Sequence, residues 1–351
     1  MKTMKTTSTS HSNSMRPTHM LSAKKISALL GFAAAAALLT ATTQSEPIDL
    51  ARLKGAIRID GSSTVYPITE AVAEEFSKAA PKVSVTVGIS GTGGGFKRFC
   101  AGEIAIAAAS RPITPSEVAL ASTNKIEFIE IPIAYDALAI VVNPKNDWIT
   151  TITIAQLKKI YSAGGPKNWK DIDPSWPDRP MKLFSPGTDS GTFDYFKEAV
   201  IGKEGKVRSD ISVSEDDNVL VLGVSGDQDA IGFFGLAYFA ENKDKLRDVP
   251  VVGSAGAPVA PQASTVNDGT YPLSRPLFIY VNSKSAAKSE VVALVDFYLA
   301  QAAALSTEVG FVPLPADIAT KANANWKARR LGTQFVKDGK KVDGAFSKIY
   351  Q

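Results

Sequence analysis

The chain is poor in the side chains that carry most metal and nucleophilic chemistry. Its 351 residues include one cysteine, Cys100, and two histidines, His11 and His19. A single cysteine excludes an internal disulfide. Both histidines fall within residues 1–44, a segment that also lacks any acidic side chain. That segment carries Lys2, Lys5, Arg16, Lys24 and Lys25, then an apolar stretch over 26–39, then small residues. This is the layout of a secretory signal peptide. The apolar stretch is shorter than the roughly 20 residues of a membrane span. Residues 1–44 are therefore read as a cleaved export signal, and the mature chain is expected to be soluble and periplasmic. Cys100 is far from the leader, so no lipid-anchor cysteine is expected.

Loss of the leader would leave no histidine at all. That excludes a Ser-His-Asp triad and a Cys/His zinc site. No catalytic residue, metal or cofactor is expected. The formal charge falls from +4 to about −1 when the leader goes. A polyanion-binding surface is then not implied, and nucleic acid is not an expected partner. Cys100 reads as a small buried residue.

What is present is ordinary globular material, with 44% hydrophobic and 21% charged residues. The length suggests more than one folding unit. Short apolar runs at 56–60, 83–87, 104–109, 126–133 and 137–142 read as strands. Pro67 opens a helix that carries Ile68, Val72 and Phe76 on one face. The β-α-β-α-β order predicts an open α/β sheet. A second unit begins near Ala137, with a helix over 154–161, a strand over 181–184, a helix over 190–200 and apolar elements over 219–224 and 231–239. Residues 253–269 read as irregular. A strand over 277–281 leads back to the first unit, a helix follows over 290–304, and the tail from Lys321 reads as basic and peripheral.

Three loops share one design, each rich in Ser, Thr and Gly and each set before a helix. They run over 61–64, 90–95 and 187–192. Free N–H groups at a helix start point outward, and the helix dipole adds partial positive charge there. Glycines let backbone approach a ligand closely. Such loops suit an anion, although Ser, Thr and Asp before a helix also serve simply as caps. None of the three is a nucleotide motif. Arg98 follows Lys97 where a Walker loop needs Ser or Thr. Ser190 stands three residues after Gly187, one too far for a nucleophile elbow.

At these loops the sequence resembles the phosphate-binding proteins of high-affinity phosphate ABC transporters. The matching segments are DGSSTVYPITEAVAEEF from Asp60, GISGTGGGFKRFCAGE from Gly88 and SPGTDSGTFDYF from Ser185. SEDDNVLVLGVSG from Ser214 and AIGFFGLAYF from Ala230 fit as well. The likeness runs from about Ile57 to about Leu314, with the motifs in the family's order.

The resemblance implies a two-lobed periplasmic binding protein fold of the second class. Two mixed sheets flanked by helices would enclose a ligand cleft, with one lobe from 56–136 plus 275–351 and the other from 137–274. It also implies a monomeric receptor, not an enzyme, that binds inorganic phosphate and hands it to the membrane permease of an ABC transporter. Ser63 and Thr64 would donate from the first loop, Thr92 from the second, and Ser190, Gly191 and Thr192 from the third.

The chain departs from the family pattern in one place. Some members carry an aspartate after the small strand and an arginine before the Ser-Gly-Thr loop. Here Arg111 follows the strand, and Ser185-Pro186-Gly187 stands where the arginine would be. Arg111 is then expected to supply the guanidinium, in the bidentate geometry that suits phosphate. Phosphate near neutral pH keeps a proton and sulfate does not, so a carboxylate in the cleft would accept from one and repel the other. Asp136 is the first candidate for that carboxylate, and Asp189 the second. A phosphoester hydrolase with a Ser or Thr nucleophile, and a receptor for molybdate or tungstate, stand as alternatives.

Overall fold

Alternating burial makes Gly55–Gly61 the first strand, β1, with Ile57 and Ile59 turned into the core. The computed structural model describes residues 49–351 apart from Asp189 and Lys203, so the leader read over 1–44 and the candidate Asp189 lie outside the described residues. Strands β2 (Val83–Ile89) and β3 (Ile106–Ala109) flank β1 and run parallel to it. Helices α1 (Tyr66–Ala79) and α2 (Gly91–Cys100) connect the three strands, and α3 (Pro115–Thr123) follows β3. Helix α1 buries Ile68, Val72 and Phe76, as their fourfold spacing predicts.

Strand β4 (Phe128–Val142) is a single buried strand of 15 residues. The sequence pattern splits it in two, over 126–133 and 137–142, with Asp136 between them. The strand continues through an irregularity, since the pairing register slips opposite Pro132–Ala134. A bulge is a place where a proline is tolerated within a sheet.

The later strands are β5 (Ile152–Thr153), β6 (Lys182–Pro186), β7 (Ser212–Ser214), β8 (Ala230–Gly235), β9 (Arg247–Asp248), β10 (Val251–Val252), β11 (Pro258–Val259) and β12 (Ser274–Asn282). The main sheet path is β2-β1-β3-β12-β4-β8-β6-β7. Residues 128–137 of β4 pair antiparallel with β12, and residues 138–142 pair antiparallel with β8. One long strand therefore serves both halves of the fold, and β12 returns beside it.

Helix α4 (Ile154–Tyr161) begins with a capping box in which Thr153 and Gln156 satisfy each other's backbone. Helix α5 (Gly191–Phe196) runs on into a π turn at Lys197–Ile201. The apolar run over 219–224 lies in helix α6 (Asp217–Gly226). The run over 231–239 divides at Gly235 into β8 and helix α7 (Leu236–Glu241). Helix α8 (Ala263–Asn267) interrupts the stretch read as irregular.

Each half has its own aromatic cluster. Phe96, Phe128 and Tyr280 meet edge to face under the first half. Phe196 and Phe233 stack at 3.7 Å beside Tyr161 under the second. Burying one such ring is worth roughly 1.5–3 kcal/mol. Trp169 and Trp176 are buried as the sequence suggests.

The C-terminal tail is not peripheral. Helices α9 (Ser289–Glu308), α10 (Ala316–Lys327) and α11 (Phe346–Ile349) lead the chain across the first half. Trp326, Phe335, Phe346 and Tyr350 are all buried there. The abundant lysines of the tail mask this aromatic series in the sequence. Buried Glu130 of β4 also ties the tail down. It accepts from Thr333 Oγ1 at 2.6 Å, Tyr280 Oη at 2.9 Å and the Gln334 N–H at 3.2 Å.

Candidate ligand-binding cleft

The first loop follows β1 and leads into α1, and the second leads into α2. No side chain caps the first turn of either helix. At α2 the leading N–H groups are thus left for another partner, whereas at α1 the Tyr66 N–H already bonds the Ser62 carbonyl at 3.1 Å and Pro67 has no N–H. Partial positive charge still gathers at both helix starts. The glycines of the second loop do not stay in the loop, as the sequence suggests; they form the first turns of α2. Helical glycine is costly, by roughly 1 kcal/mol relative to alanine. Packing requires it at Gly95, where a Cβ would lie 2.6 Å from the Cα of Gly61. The close approach of α2 to the end of β1 brings the two loops side by side.

The third loop reaches the first from the other half. A Cβ on Gly191 would lie 2.8 Å from Thr64 Cα and 3.1 Å from Thr64 Oγ1. Ser63 Oγ donates to Asp194 Oδ2 at 3.3 Å across the same junction.

Around these contacts lies a cleft of about 280 Å³. Ser63, Thr64, Thr92 and Arg111 line it, as does Ser62. The structure brings these together from separate loops. Thr92 Oγ1 accepts the Ser110 N–H at 3.2 Å, which ties the second loop to the end of β3. Ser190, Gly191 and Thr192 are not on the wall. The Ser190 hydroxyl accepts the Thr192 N–H at 3.2 Å and so caps α5. The next turns of that segment supply Asp194, Lys197 and Glu198 to the wall instead.

Arg111 lines the cleft but is held by a carboxylate. Its two terminal nitrogens bond both oxygens of Glu117 at 2.8 and 2.9 Å. Burial pushes the Glu117 carboxyl up, but bonds from Arg111 and Thr114 hold it below its ordinary value. Its bond to Glu117 raises the Arg111 guanidinium further. Glu117 also completes the capping box of α3 with Thr114. Arg111 is thereby fixed on the wall of the site, with its guanidinium carbon 5.5 Å from the centre of the Phe96 ring.

Asp136 is fully buried and is not on the wall. It sits directly opposite Arg275 in the β4–β12 register, and Arg275 Nε donates to its Oδ2 at 3.1 Å. Arg275 stands between Asp136 and the cleft. Its Nη2 donates to Thr64 Oγ1 at 2.8 Å, and its guanidinium lies 3.9 Å over the Tyr195 ring. Burial pushes the Asp136 carboxyl up, and the Arg275 charge opposes that shift.

Arg275 is one of the cleft residues that the sequence reading misses, together with Asp194, Lys197 and Glu198. Its signal was present: an arginine opens the strand that returns beside the candidate Asp136. Antiparallel pairing of the two crossing strands would have placed them face to face.

Cys100 is buried, and burial pushes its thiol up to about 11, as suits an inert packing residue.

Two halves sharing one long strand, with an anion-suited cleft where their loops meet, define a two-lobed binding protein. A family profile described as a PBP superfamily domain matches residues 36–301. The chain is 51% identical over 292 residues to protein SphX of Synechococcus elongatus, covering 82% of this chain and 86% of that one. It is 40% identical to the phosphate-binding protein PstS of Staphylococcus haemolyticus, covering 75% and 82%. Among solved structures, a possible phosphate binding protein from Planctomyces limnophilus aligns with a TM-score of 0.77 at 41% identity, over 79% of this chain and 99% of the other. An ABC-type phosphate transport receptor from Vibrio cholerae aligns with a TM-score of 0.60 at 26% identity, over 74% and 100%. The chain belongs to the PBP superfamily, in the family of the SphX and PstS proteins.

Proposed function

We propose that this chain is the extracytoplasmic receptor that binds inorganic phosphate in the cleft and delivers it to the membrane permease of an ABC transporter. It is a binding protein and not an enzyme. The observation that carries the reading is the convergence of the uncapped α2 start, the Ser62-Ser63-Thr64 loop and the cations Arg111, Lys197 and Arg275 on one small cleft. Charge-assisted bonds in such a site are the strong ones. The lobes would be 56–136 plus 275–351 and 137–274, joined at β4 and β12. Closure of one on the other would desolvate the anion, and opening would release it.

Within this reading, Ser63, Thr64 and Thr92 donate to the anion, with free amides of the α2 start. Arg111 and Arg275 supply positive charge. Gly191 lets the third loop approach Thr64, and Ser190 and Thr192 shape the start of α5. Asp136 orients Arg275 and does not touch the anion. Asp194, on the wall and 3.3 Å from Ser63, is the carboxylate placed to accept the phosphate proton. Residues 1–44 serve as the export signal, and the mature receptor acts as a monomer.

A melting experiment on ligand-free protein tests this. A ligand that binds only the folded state raises the melting temperature in proportion to the logarithm of its excess over Kd. Millimolar phosphate is expected to raise it by several degrees and equal sulfate to leave it nearly unchanged. Equal shifts with both anions would remove the proton-acceptor argument, and no shift with phosphate would remove the function.

A further inference from the structure

The three edges of the Arg275 guanidinium are held unequally. Nε bonds buried Asp136 at 3.1 Å, and Nη2 bonds Thr64 at 2.8 Å. Nη1 lies 3.5 Å from Glu198 Oε2, the longest of the three. Asp136 is buried and forms part of the sheet, whereas the Glu198 side chain is 49% exposed and stands on the cleft wall. Glu198 belongs to the π turn after α5, and Arg275 to the returning strand β12.

An anion in this cleft needs the donor that points into it. Two of the edges of Arg275 are committed to its own support. The remaining edge, Nη1, is shared with a carboxylate of the same sign as the incoming ligand. We propose that Glu198 sets the affinity of the cleft by competing, as an internal carboxylate, for Arg275 Nη1, and that the bound anion displaces it. The inference rests on the anion-cleft reading above. Glu198 need not leave the molecule's surface to do this. A rotamer change moves it into solvent, which costs little for a half-exposed side chain. The remaining charges on the wall are Arg111, Lys197 and Asp194. Arg111 is already paired with Glu117, so Arg275 is the guanidinium whose pairing the ligand can most easily change.

Glu198→Gln tests this, because it keeps the shape and removes the charge. Calorimetric titrations with phosphate and with sulfate, at fixed ionic strength, are compared with wild type. Exposed ion pairs are individually weak, so the expected gain is modest, roughly two- to fivefold tighter phosphate binding. Sulfate is expected to tighten by a similar factor wherever its binding is measurable. Glu198→Ala should reproduce the gain, and the melting temperature of each ligand-free variant checks that the fold is intact. Unchanged phosphate affinity in both variants would overturn the proposal. So would weaker phosphate binding with tighter sulfate binding, which would make Glu198 the acceptor of the phosphate proton. If wild type itself shows no phosphate binding, the cleft reading fails first, and that result is read in the wild-type arm alone.

Discussion

Asp136 and Arg275 face each other across the paired strands β4 and β12, and the guanidinium reaches Thr64 from that position. The pair joins the strand that serves both halves of the fold to the wall of the cleft. Removing one member of a buried pair strands the other charge and costs about 2–5 kcal/mol. Arg275→Ala is expected to weaken phosphate binding by at least about a hundredfold and to lower the melting temperature. Asp136→Asn should weaken phosphate by roughly tenfold while leaving sulfate excluded, because its role is to hold the arginine. Paired titrations with both anions check this. A Asp136→Asn protein that gains sulfate binding would put Asp136 back in contact with the ligand.

Gly191 tests the junction between the loops. An added Cβ would meet Thr64 Cα at 2.8 Å, a contact that backbone must move to relieve. Gly191→Ala is therefore expected to hold the loops apart and weaken phosphate by about tenfold or more, with circular dichroism unchanged. Gly95→Ala meets the Gly61 backbone at 2.6 Å inside the first half. It should cost stability instead, about 1–3 kcal/mol as overpacking does, seen as a lower midpoint in urea.

Much of the site was legible in the sequence because it is built from contiguous loops. Ser63, Thr64, Thr92 and Arg111 reach the cleft wall from motifs readable as short strings. Asp194 and Glu198 were missed because the Ser-Gly-Thr motif drew attention to the start of α5, whereas the wall is formed one and two turns later. Arg275 was missed because its meaning depends on Asp136, 139 residues away. Strand and helix types were mostly legible from period, but β4 reads as two strands broken over 134–136 around Asp136, because its continuity is a property of pairing with β12 and β8. The tail was misjudged on charge, since four buried aromatics are hidden among lysines.

The selectivity argument centres on Asp194. Asp194→Asn keeps a hydrogen-bonding side chain beside Ser63 but removes the charge that repels a fully ionised anion. It is expected to admit sulfate while reducing phosphate affinity less than tenfold, an outcome measured by competition between the two anions. Unchanged exclusion of sulfate would assign the acceptor role to another carboxylate.

Glu130 gives the fold a pH dependence separate from the cleft. Burial pushes its carboxyl up to about 7, against bonds from Thr333, Tyr280 and Gln334 that favour the charged form. The folded state then holds a proton that the unfolded state releases near its ordinary, lower pKa. Stability is therefore highest below that ordinary value and falls as pH rises toward 7, by on the order of 3 kcal/mol at most. Urea midpoints measured from pH 4 to 8 should fall over this window in wild type. In Glu130→Gln that slope should be flatter.

Isothermal calorimetry on protein stripped of ligand by unfolding and refolding tests the central claim most directly. One phosphate per chain is predicted to bind with measurable heat, and sulfate at the same concentration to give none. Absence of heat with phosphate, or matching heat from sulfate, would contradict the account.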